Sequence, residues 1–289
     1  MTAALYARRA NKSVLVMEKA AFGGQITYSP RVENIPGFLS LTGNEFAEKL
    51  VEQVLEQGAD IEPCEVLSIR DDGDHKTVVT DSGEFTAKTV IVATGARHRL
   101  LGAENEQRFI GEGISFCAVC DGAFYAGRSV GVVGGGNSAL QEALLLSDVA
   151  SKVTVIQNLD FLTGEQKLQE QLAERSNVEV LLGKTVCSVN GEDTFAGVTL
   201  RDEKTGELQT VALDGLFVAI GLVPQNEPFA DLVELDERGY VKAGETCVTN
   251  VPGVFTAGDC RVKRIRQVAT AAADGAIAAL AACDYIDNM

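Results

Sequence analysis

The sequence predicts an α/β protein built from two copies of one strand–loop–helix pattern. Three observations lead there. Residues 130–139 read VGVVGGGNSA, an apolar run followed by a glycine loop and the start of a helix. Two further apolar runs, TVIVATG at 89–95 and GLFVAIG at 215–221, are each closed by a glycine, as buried strands are. The segments between these landmarks follow one order in both halves of the chain.

Taken in order, the first half opens on a helix piece, TAALYARRA, and passes to a strand at 13–17, SVLVM. ADIEPCEVLSI, KTVVTDSGE and the buried strand at 89–95 follow. The second half opens on the strand and glycine loop at 130–136, and its helix continues through LQEALLL. A strand at 153–156, VTVI, comes next, then NVEVLLG, VTLRDEKTGE and the buried strand at 215–221. The first copy lacks an opening strand and glycine loop. In the second copy that loop lies one helix ahead of VTVI, so the same offset places its counterpart upstream of Met1. The chain is therefore expected to start inside the first helix of its first unit.

Composition narrows the class. The chain has 289 residues, 46% hydrophobic and 23% charged, which suits a soluble protein of about two domains. Its net charge of −16 argues against nucleic acid and anionic membranes as partners. No apolar run approaches the ~20 residues of a membrane span, and no signal peptide is visible, so a cytoplasmic location is expected. Seven cysteines are scattered along the chain, unlike the framework of a small secreted domain. Cys64, Cys187, Cys247, Cys260 and Cys283 stand alone and are expected to be small buried hydrophobes. The two histidines, His75 and His98, lie far in sequence from the one CxxC, and no metal site is expected.

Gly134, Gly136 and Ala139 fit G-x-G-x-x-A between a strand and a helix. The first glycine permits the tight turn and the second lets backbone approach a pyrophosphate. The small third residue lets helix and strand pack closely, with the pyrophosphate at the positive helix N-terminus. An acid after the second strand binds the ribose of NAD, and arginines there bind the extra phosphate of NADP. Gln157, Asn158 and Leu159 are neither, so the nicotinamide nucleotide cannot be read off.

Cys117 and Cys120 form the CxxC, followed at once by Asp121. That spacing allows a reversible disulfide and favours a depressed thiol pKa. Asp121 is a candidate proton donor to a leaving thiolate, the alternative being a helix cap. Spacing leaves open whether electrons come from a flavin, another dithiol or nothing.

With the repeat and the CxxC, several segments together closely resemble the low-molecular-weight thioredoxin reductases. They are FGGQIT at 22–27, VENIPGF at 32–38, IVATGA at 91–96, CAVCDGAFY at 117–125, VVGGGNSALQEALLL, LFVAIGLVPQN, VPGVFTAGD at 251–259 and RQVATAAADG at 266–275. The resemblance covers nearly the whole chain. It implies two Rossmann-like, three-layer ββα nucleotide-binding domains, the second inserted in the first. The FAD domain would take residues 1–100 and 226–289, and the NAD(P)-like domain with the CxxC residues 101–225. Hinges would lie near 99–102 and 224–226.

The resemblance also implies roles. Glu18 would hold the FAD ribose, and Gly24, Gln25 and Asn34 would approach the flavin. Thr94, Gly95, Gly258, Asp259, Arg266 and Gln267 would complete the FAD site. Cys120 would face the flavin, Cys117 would attack the disulfide of a thioredoxin or similar protein, and Asp121 would act as the acid. The family is usually homodimeric.

The sequence departs from the family in three places. The FAD glycine loop is absent. The stretch where NADPH-dependent members carry arginines reads QNLDFLTGE at 157–165, without arginine, which resembles the ferredoxin-linked flavin thioredoxin reductases. Arg261, Lys263, Arg264 and Arg266 make a basic run in an acidic chain. This run is either a loop with one cofactor arginine or a docking patch for an acidic carrier such as ferredoxin. The donor is thus open between ferredoxin, NADH and NADPH. Two rival readings are the reductase part of a peroxide-detoxifying flavoprotein and a non-catalytic homologue that kept the fold.

Overall fold

The computed structural model describes residues 1–29 and 31–289. The chain forms two compact units. One comprises residues 1–29, 35–97 and 223–289, and the other residues 31–34 and 98–222.

The second unit is built on a five-stranded parallel sheet. Its order is Val178–Leu182, Lys152–Gln157, Ser129–Val133, Gly215–Val218, Ile114–Ser115. The central strand pairs on both sides, Val130 with Val153 and with Gly215. A central parallel strand is covered on both faces, which is why SVGVV and GLFV are almost continuously apolar and buried. The helices Asn137–Ser147 and Gln166–Ala173 cover one face, through Leu140, Ala143, Leu146 and Leu172. On the other face lies an antiparallel sheet of Lys184–Asn190, Gly197–Asp202 and Leu208–Ala212, through Val186, Val198 and Leu200. Sheet, sheet and helices make the three-layer ββα arrangement.

The first unit repeats the scheme with a difference. Its parallel strands form two separate pairs, Leu15–Met17 with Asp60–Glu62 and Val90–Val92 with Val254–Thr256. These match the outer pairs of the five-stranded sheet. Among the described residues no strand corresponds to Ser129–Val133. Val14 and Ile91, one at each pair, share a cluster with Ala7, Ala279 and Cys283 of the covering helices. An antiparallel sheet of Val66–Asp71, Lys76–Thr80 and Glu84–Ala87 supplies the third layer.

Local chemistry sets the helix starts. Thr42 caps Gly43–Glu56 through a capping box with Glu45. The helix Val268–Asp287 has 20 residues and a composition apolar enough to cross a membrane. Its packing gives the other answer. It lies against Thr2–Arg9 through small residues, and a Cβ on Gly275 would meet Ala3 N at 3.1 Å. It also carries the buried, ion-paired Asp274. It is a core helix whose Ala-rich sequence reflects close helix–helix approach.

Candidate active site around Cys117 and Cys120

Cys117 and Cys120 are joined in a disulfide, their Cα atoms 5.3 Å apart. They bracket the start of one helical turn, Ala118–Asp121. Cys117 is the N-cap, and its sulfur accepts the Cys120 N–H at 3.2 Å. Backbone donors at such a turn favour thiolate over thiol. Asn34 Nδ2 lies 3.9 Å from the Cys120 sulfur. Val119, between the cysteines, is 66% exposed, so the turn is open to solvent.

Asp121 ends the turn. Ser115 Oγ donates to Asp121 Oδ2 at 2.6 Å and accepts the Cys117 N–H at 3.1 Å. Asp121 Oδ1 is buried and has no hydrogen-bond partner among the described residues. Burial pushes the Asp121 carboxyl above the usual carboxylate range, opposed in part by the Ser115 hydrogen bond. Asp121 makes no side-chain cap, so the helix-cap alternative does not account for it. Ser115 thus ties the acid to the backbone of the first cysteine.

His98 also reaches this region, stacked on Phe116 with ring centroids 4.5 Å apart. Burial lowers its pKa to about 4, so the ring is neutral near pH 7. Sequence reasoning set His98 aside because it is distant in the chain. Ser115 is two residues ahead of Cys117 and was readable only once the turn was seen.

The glycine loop of the second unit has the expected strand–loop–helix form. Gly134 has φ +133°, and a Cβ there would lie 2.6 Å from Ala219 O and 3.0 Å from the Ala139 Cβ. Packing alone therefore demands glycine at 134 and a small residue at 139. Gly136 is the uncapped N-cap of Asn137–Ser147 and has open space beside it, with nothing nearer than Thr163 Oγ1 at 3.7 Å. That is where backbone could approach a pyrophosphate. The segment after the second strand folds over the loop. Thr163 and Gly164 N–H both donate to Gly135 O at 2.8 Å, and Asn137 exchanges hydrogen bonds with Glu165 at 2.7 Å. Gln157 is buried with its side chain against Gly135.

In the first unit, Glu18 follows the strand Leu15–Met17 and accepts the Ala20 N–H at 2.9 Å. Gly24, at φ +58°, and Gln25 begin the turn Gly24–Tyr28. Thr94 donates to Asn226 Oδ1 at 3.0 Å, and Gly95 has φ +70°. The fully buried Asn226 donates in turn to Gly239 O and Cys260 O, both at 2.8 Å. It ties three loops together, a role that sequence reasoning missed although VPQN pointed near it. Gly258, at φ +79°, donates its N–H to Asp274 Oδ2 at 3.0 Å. Asp259 Oδ1 is buried without a hydrogen-bond partner among the described residues. Burial pushes the Asp259 carboxyl up, opposed by Lys263 and Arg266. Arg266 lies over the Tyr240 ring at 4.2 Å, and Gln267 caps the helix Val268–Asp287.

Two members of the basic run are turned inward. Arg261 forms a bidentate pair with Asp274, Nε to Oδ2 at 2.8 Å and Nη2 to Oδ1 at 2.7 Å, and Lys263 Nζ reaches Oδ2 at 2.8 Å. Both side chains are about nine-tenths buried, 10% and 8% exposed. Of Arg261, Lys263 and Arg264, only Arg264 is exposed. Two of the four cations are held inside by a carboxylate from the next helix, so neither a fully solvated loop nor a four-cation surface patch describes the run.

FAD can be tested against these residues. The unsatisfied Asp259 oxygen and the left-handed backbone at Gly258 suit a ligand rich in hydroxyl donors. Glu18, at the end of a parallel strand where such sheets bind ligands, uses one carboxylate oxygen on the Ala20 N–H and has no partner on the other among the described residues. The sugar hydroxyls of a flavin dinucleotide fit both places. No glycine loop for its pyrophosphate stands in the first unit among the described residues.

Comparisons with known proteins agree with this geometry. The model of the pyridine nucleotide-disulphide oxidoreductase family matches residues 1–275. The chain is 40% identical over 290 residues to thioredoxin reductase of Bacillus subtilis, covering 100% of this chain and 92% of that protein. It is 41% identical over 292 residues to thioredoxin reductase of Treponema pallidum, covering 100% and 94%. The crystal structure of thioredoxin reductase from Streptococcus pyogenes superposes with a TM-score of 0.95 at 37% identity, covering 100% and 94%.

Proposed function

Because this chain belongs to the low-molecular-weight thioredoxin reductases of the pyridine nucleotide-disulphide oxidoreductase family, we propose that it reduces a thioredoxin disulfide through Cys117 and Cys120. The observation that carries this reading is the CxxC disulfide on a backbone-capped turn beside a buried acid with one unsatisfied oxygen. Bound FAD would supply a two-electron carrier between a reduced donor and the disulfide. Glu18, Gly258, Asp259 and Arg266 would hold it, with Gly24, Gln25, Thr94, Gly95 and Gln267 around it.

The chain's own residues supply the thiol chemistry. Once the disulfide is reduced, Cys117 is the sulfur whose thiolate the Cys120 N–H favours. It attacks the partner's disulfide and forms a mixed disulfide. The partner sulfur that leaves takes a proton, for which Asp121 is the source. Cys120 then attacks the Cys117 sulfur, releases the partner as a dithiol and restores the internal disulfide. Asn34 Nδ2 steadies the Cys120 sulfur during these exchanges.

NADPH is not the preferred donor in this reading. Residues 157–165 contain no arginine, and Gln157 is turned inward against the glycine loop. Reduced ferredoxin and NADH are the candidates. Gly134, Gly136 and Ala139 would then bind a nicotinamide nucleotide weakly or keep the fold only. A homodimer in the cytoplasm completes the proposal, and light scattering of the purified protein checks the dimer.

The test is an anaerobic titration of the flavin-loaded protein with NADPH, NADH and reduced ferredoxin in turn. Flavin bleaching by NADH or ferredoxin, followed by thioredoxin reduction that Cys120→Ser abolishes, is the expected result. Fast bleaching by NADPH would remove the donor assignment. Turnover that survives Cys120→Ser would remove the dithiol mechanism.

A further inference from the structure

Beside the CxxC turn lies a cavity of about 410 Å³, contained wholly within the second unit. Its inner wall includes Ser115, Asp121 and Tyr125. Ser115 is buried, while Glu112, Arg128, Thr194 and Asp214, which also line the cavity, are exposed and form its mouth. Among the described residues neither cysteine is part of the wall. Arg128 and Asp214 immediately precede the strands Ser129–Val133 and Gly215–Val218, so the mouth opens at the amino ends of the parallel strands. The glycine loop at 134–136 lies at the opposite end of the first of them. A single water needs only ~10–15 Å³, and a mouth carrying three charged side chains keeps such a space hydrated.

Ser115 joins this cavity to the acid. Its hydroxyl donates to Asp121 Oδ2 at 2.6 Å and spends one lone pair on the Cys117 N–H at 3.1 Å. A hydroxyl has two lone pairs, so one is left to accept from water. We propose that Asp121 recovers its proton from solvent through this cavity, by way of the Ser115 hydroxyl, along a route that a partner protein on the cysteines leaves open. The proton balance of the thiol chemistry calls for such a route. In one turnover the Cys117 thiolate and the Cys120 thiol give two electrons to the partner's disulfide. One S–S bond breaks in the partner and one forms between Cys117 and Cys120. The partner's two new thiols take one proton from Cys120 and one from Asp121, which is left as a carboxylate. One proton from solvent must then restore the acid. A cavity water gives a proton to Ser115 Oγ as the Ser115 proton moves to Asp121 Oδ2. Val119, 66% exposed, stands between the cysteines, where a partner joined to Cys117 shuts out water. Burial of Asp121 favours its neutral form, so the transfer ends on the acid. The other titratable groups of the wall are Tyr125 within and Glu112, Arg128 and Asp214 at the mouth, where Asp214 accepts the Ser129 N–H at 2.8 Å.

This route rests on the acid role that the proposed function gives Asp121, so the experiment separates the two. Flavin-loaded protein, its cysteines reduced and the excess reductant removed anaerobically, is mixed with excess oxidised thioredoxin in weak buffer containing a pH indicator. Acid quenching and labelling count the thioredoxin thiols formed, and the indicator follows proton uptake. In the parent protein uptake should keep pace with thiol formation. Thr194→Trp and Glu112→Trp each fill the mouth, from two different loops. In both, thiol formation in the first turnover is expected to be unchanged, because Asp121 starts protonated. Uptake is expected to fall roughly tenfold or more behind it, within the ~10²- to 10⁴-fold that a positioned proton donor is worth. Uptake that keeps pace in both proteins would overturn the cavity route. So would thiol formation and uptake slowed by one common factor, the mark of a merely structural disturbance. If one plugged protein fails to fold, the other decides. Asp121→Asn is measured beside them. Thiol formation at the parent rate in that protein would remove the acid role itself. Slowed thiol formation there, with no lag in the plugged proteins, would leave the acid in place and overturn only the route.

Discussion

Asp121 and Gly134 show two ways in which one residue is fixed, by chemistry and by space. Asp121 has one oxygen anchored on Ser115 and one without a partner, in a site that burial makes unfavourable for charge. A general acid must be protonated to act. The rate it limits should therefore fall as pH rises through its raised pKa. Asp121→Asn should lower single-turnover reduction of thioredoxin by ~10²- to 10⁴-fold and remove that alkaline limb. Stopped-flow pH profiles of both proteins read this directly, and a limb that persists in the asparagine protein would assign it to another group. Gly134 is held by space. Alanine there must adopt φ +133° with its Cβ 2.6 Å from Ala219 O. A loss of ~1–3 kcal/mol is expected from the backbone strain, with the clash adding to it, measured from urea midpoints. The cysteines, Asp121 and Gly134 were legible because each announces itself by spacing within a few residues. Ser115 was not, because a lone serine carries no spacing signal even with Cys117 and Asp121 within six residues, and Asn226 was not, because Thr94 and Cys260 reach it only in the fold.

At the scale of elements, the loop after Val254–Thr256 and the helix Val268–Asp287 are joined by Asp274. That carboxylate accepts from the Gly258 N–H, Arg261 and Lys263, and it is 6% exposed. Burial pushes its pKa up, but the hydrogen bonds from Arg261, Lys263 and Gly258 outweigh burial, and the net shift is down. A carboxyl whose pKa is lower folded than unfolded stabilises the fold above its unfolded value and loses that contribution as pH falls through its folded value. Asp274→Asn should therefore cost about 3–5 kcal/mol at neutral pH, the range for stranding a buried partner. The gap to the parent protein should begin to narrow below about pH 4, where the unfolded carboxyl protonates, and close only as pH falls through the lower folded value. Urea unfolding at pH 7 and pH 3.5 tests both points, and an equal gap at the two pH values would reject the linkage. This cluster explains why the basic run could not be resolved from sequence. Three cations within four positions look like a surface patch in sequence, while the acid that internalises two of them stands on the following helix. The strands fared better. SVLVM, VTVI, TVIVATG and GLFVAIG each became a parallel strand; VTVI and GLFV are buried on both faces, which leaves a nearly continuous apolar run in the sequence, whereas Leu15 of SVLVM is exposed.

For the whole molecule, charge governs how an electron donor approaches. The chain carries −16, and the one basic run that might have formed a local attractive patch is largely spent inside on Asp274. An acidic carrier such as ferredoxin would meet a field of its own sign. Like charges slow diffusional encounter, and salt screens them over a Debye length of about 8 Å at physiological ionic strength. Bimolecular reduction of the flavin by reduced ferredoxin should therefore speed up as salt rises from about 10 mM to about 150 mM, the reverse of an electrostatically steered pair. NADH, a small dianion, should show the same sign of dependence more weakly. Stopped-flow rates at a series of ionic strengths separate the cases. A ferredoxin rate that falls with salt would reveal a local cationic surface, with the exposed Arg264 the first residue to reverse. That outcome would place steering in local geometry, whereas a rising rate would mean that this reductase accepts its electrons by short-range fit against an unfavourable field.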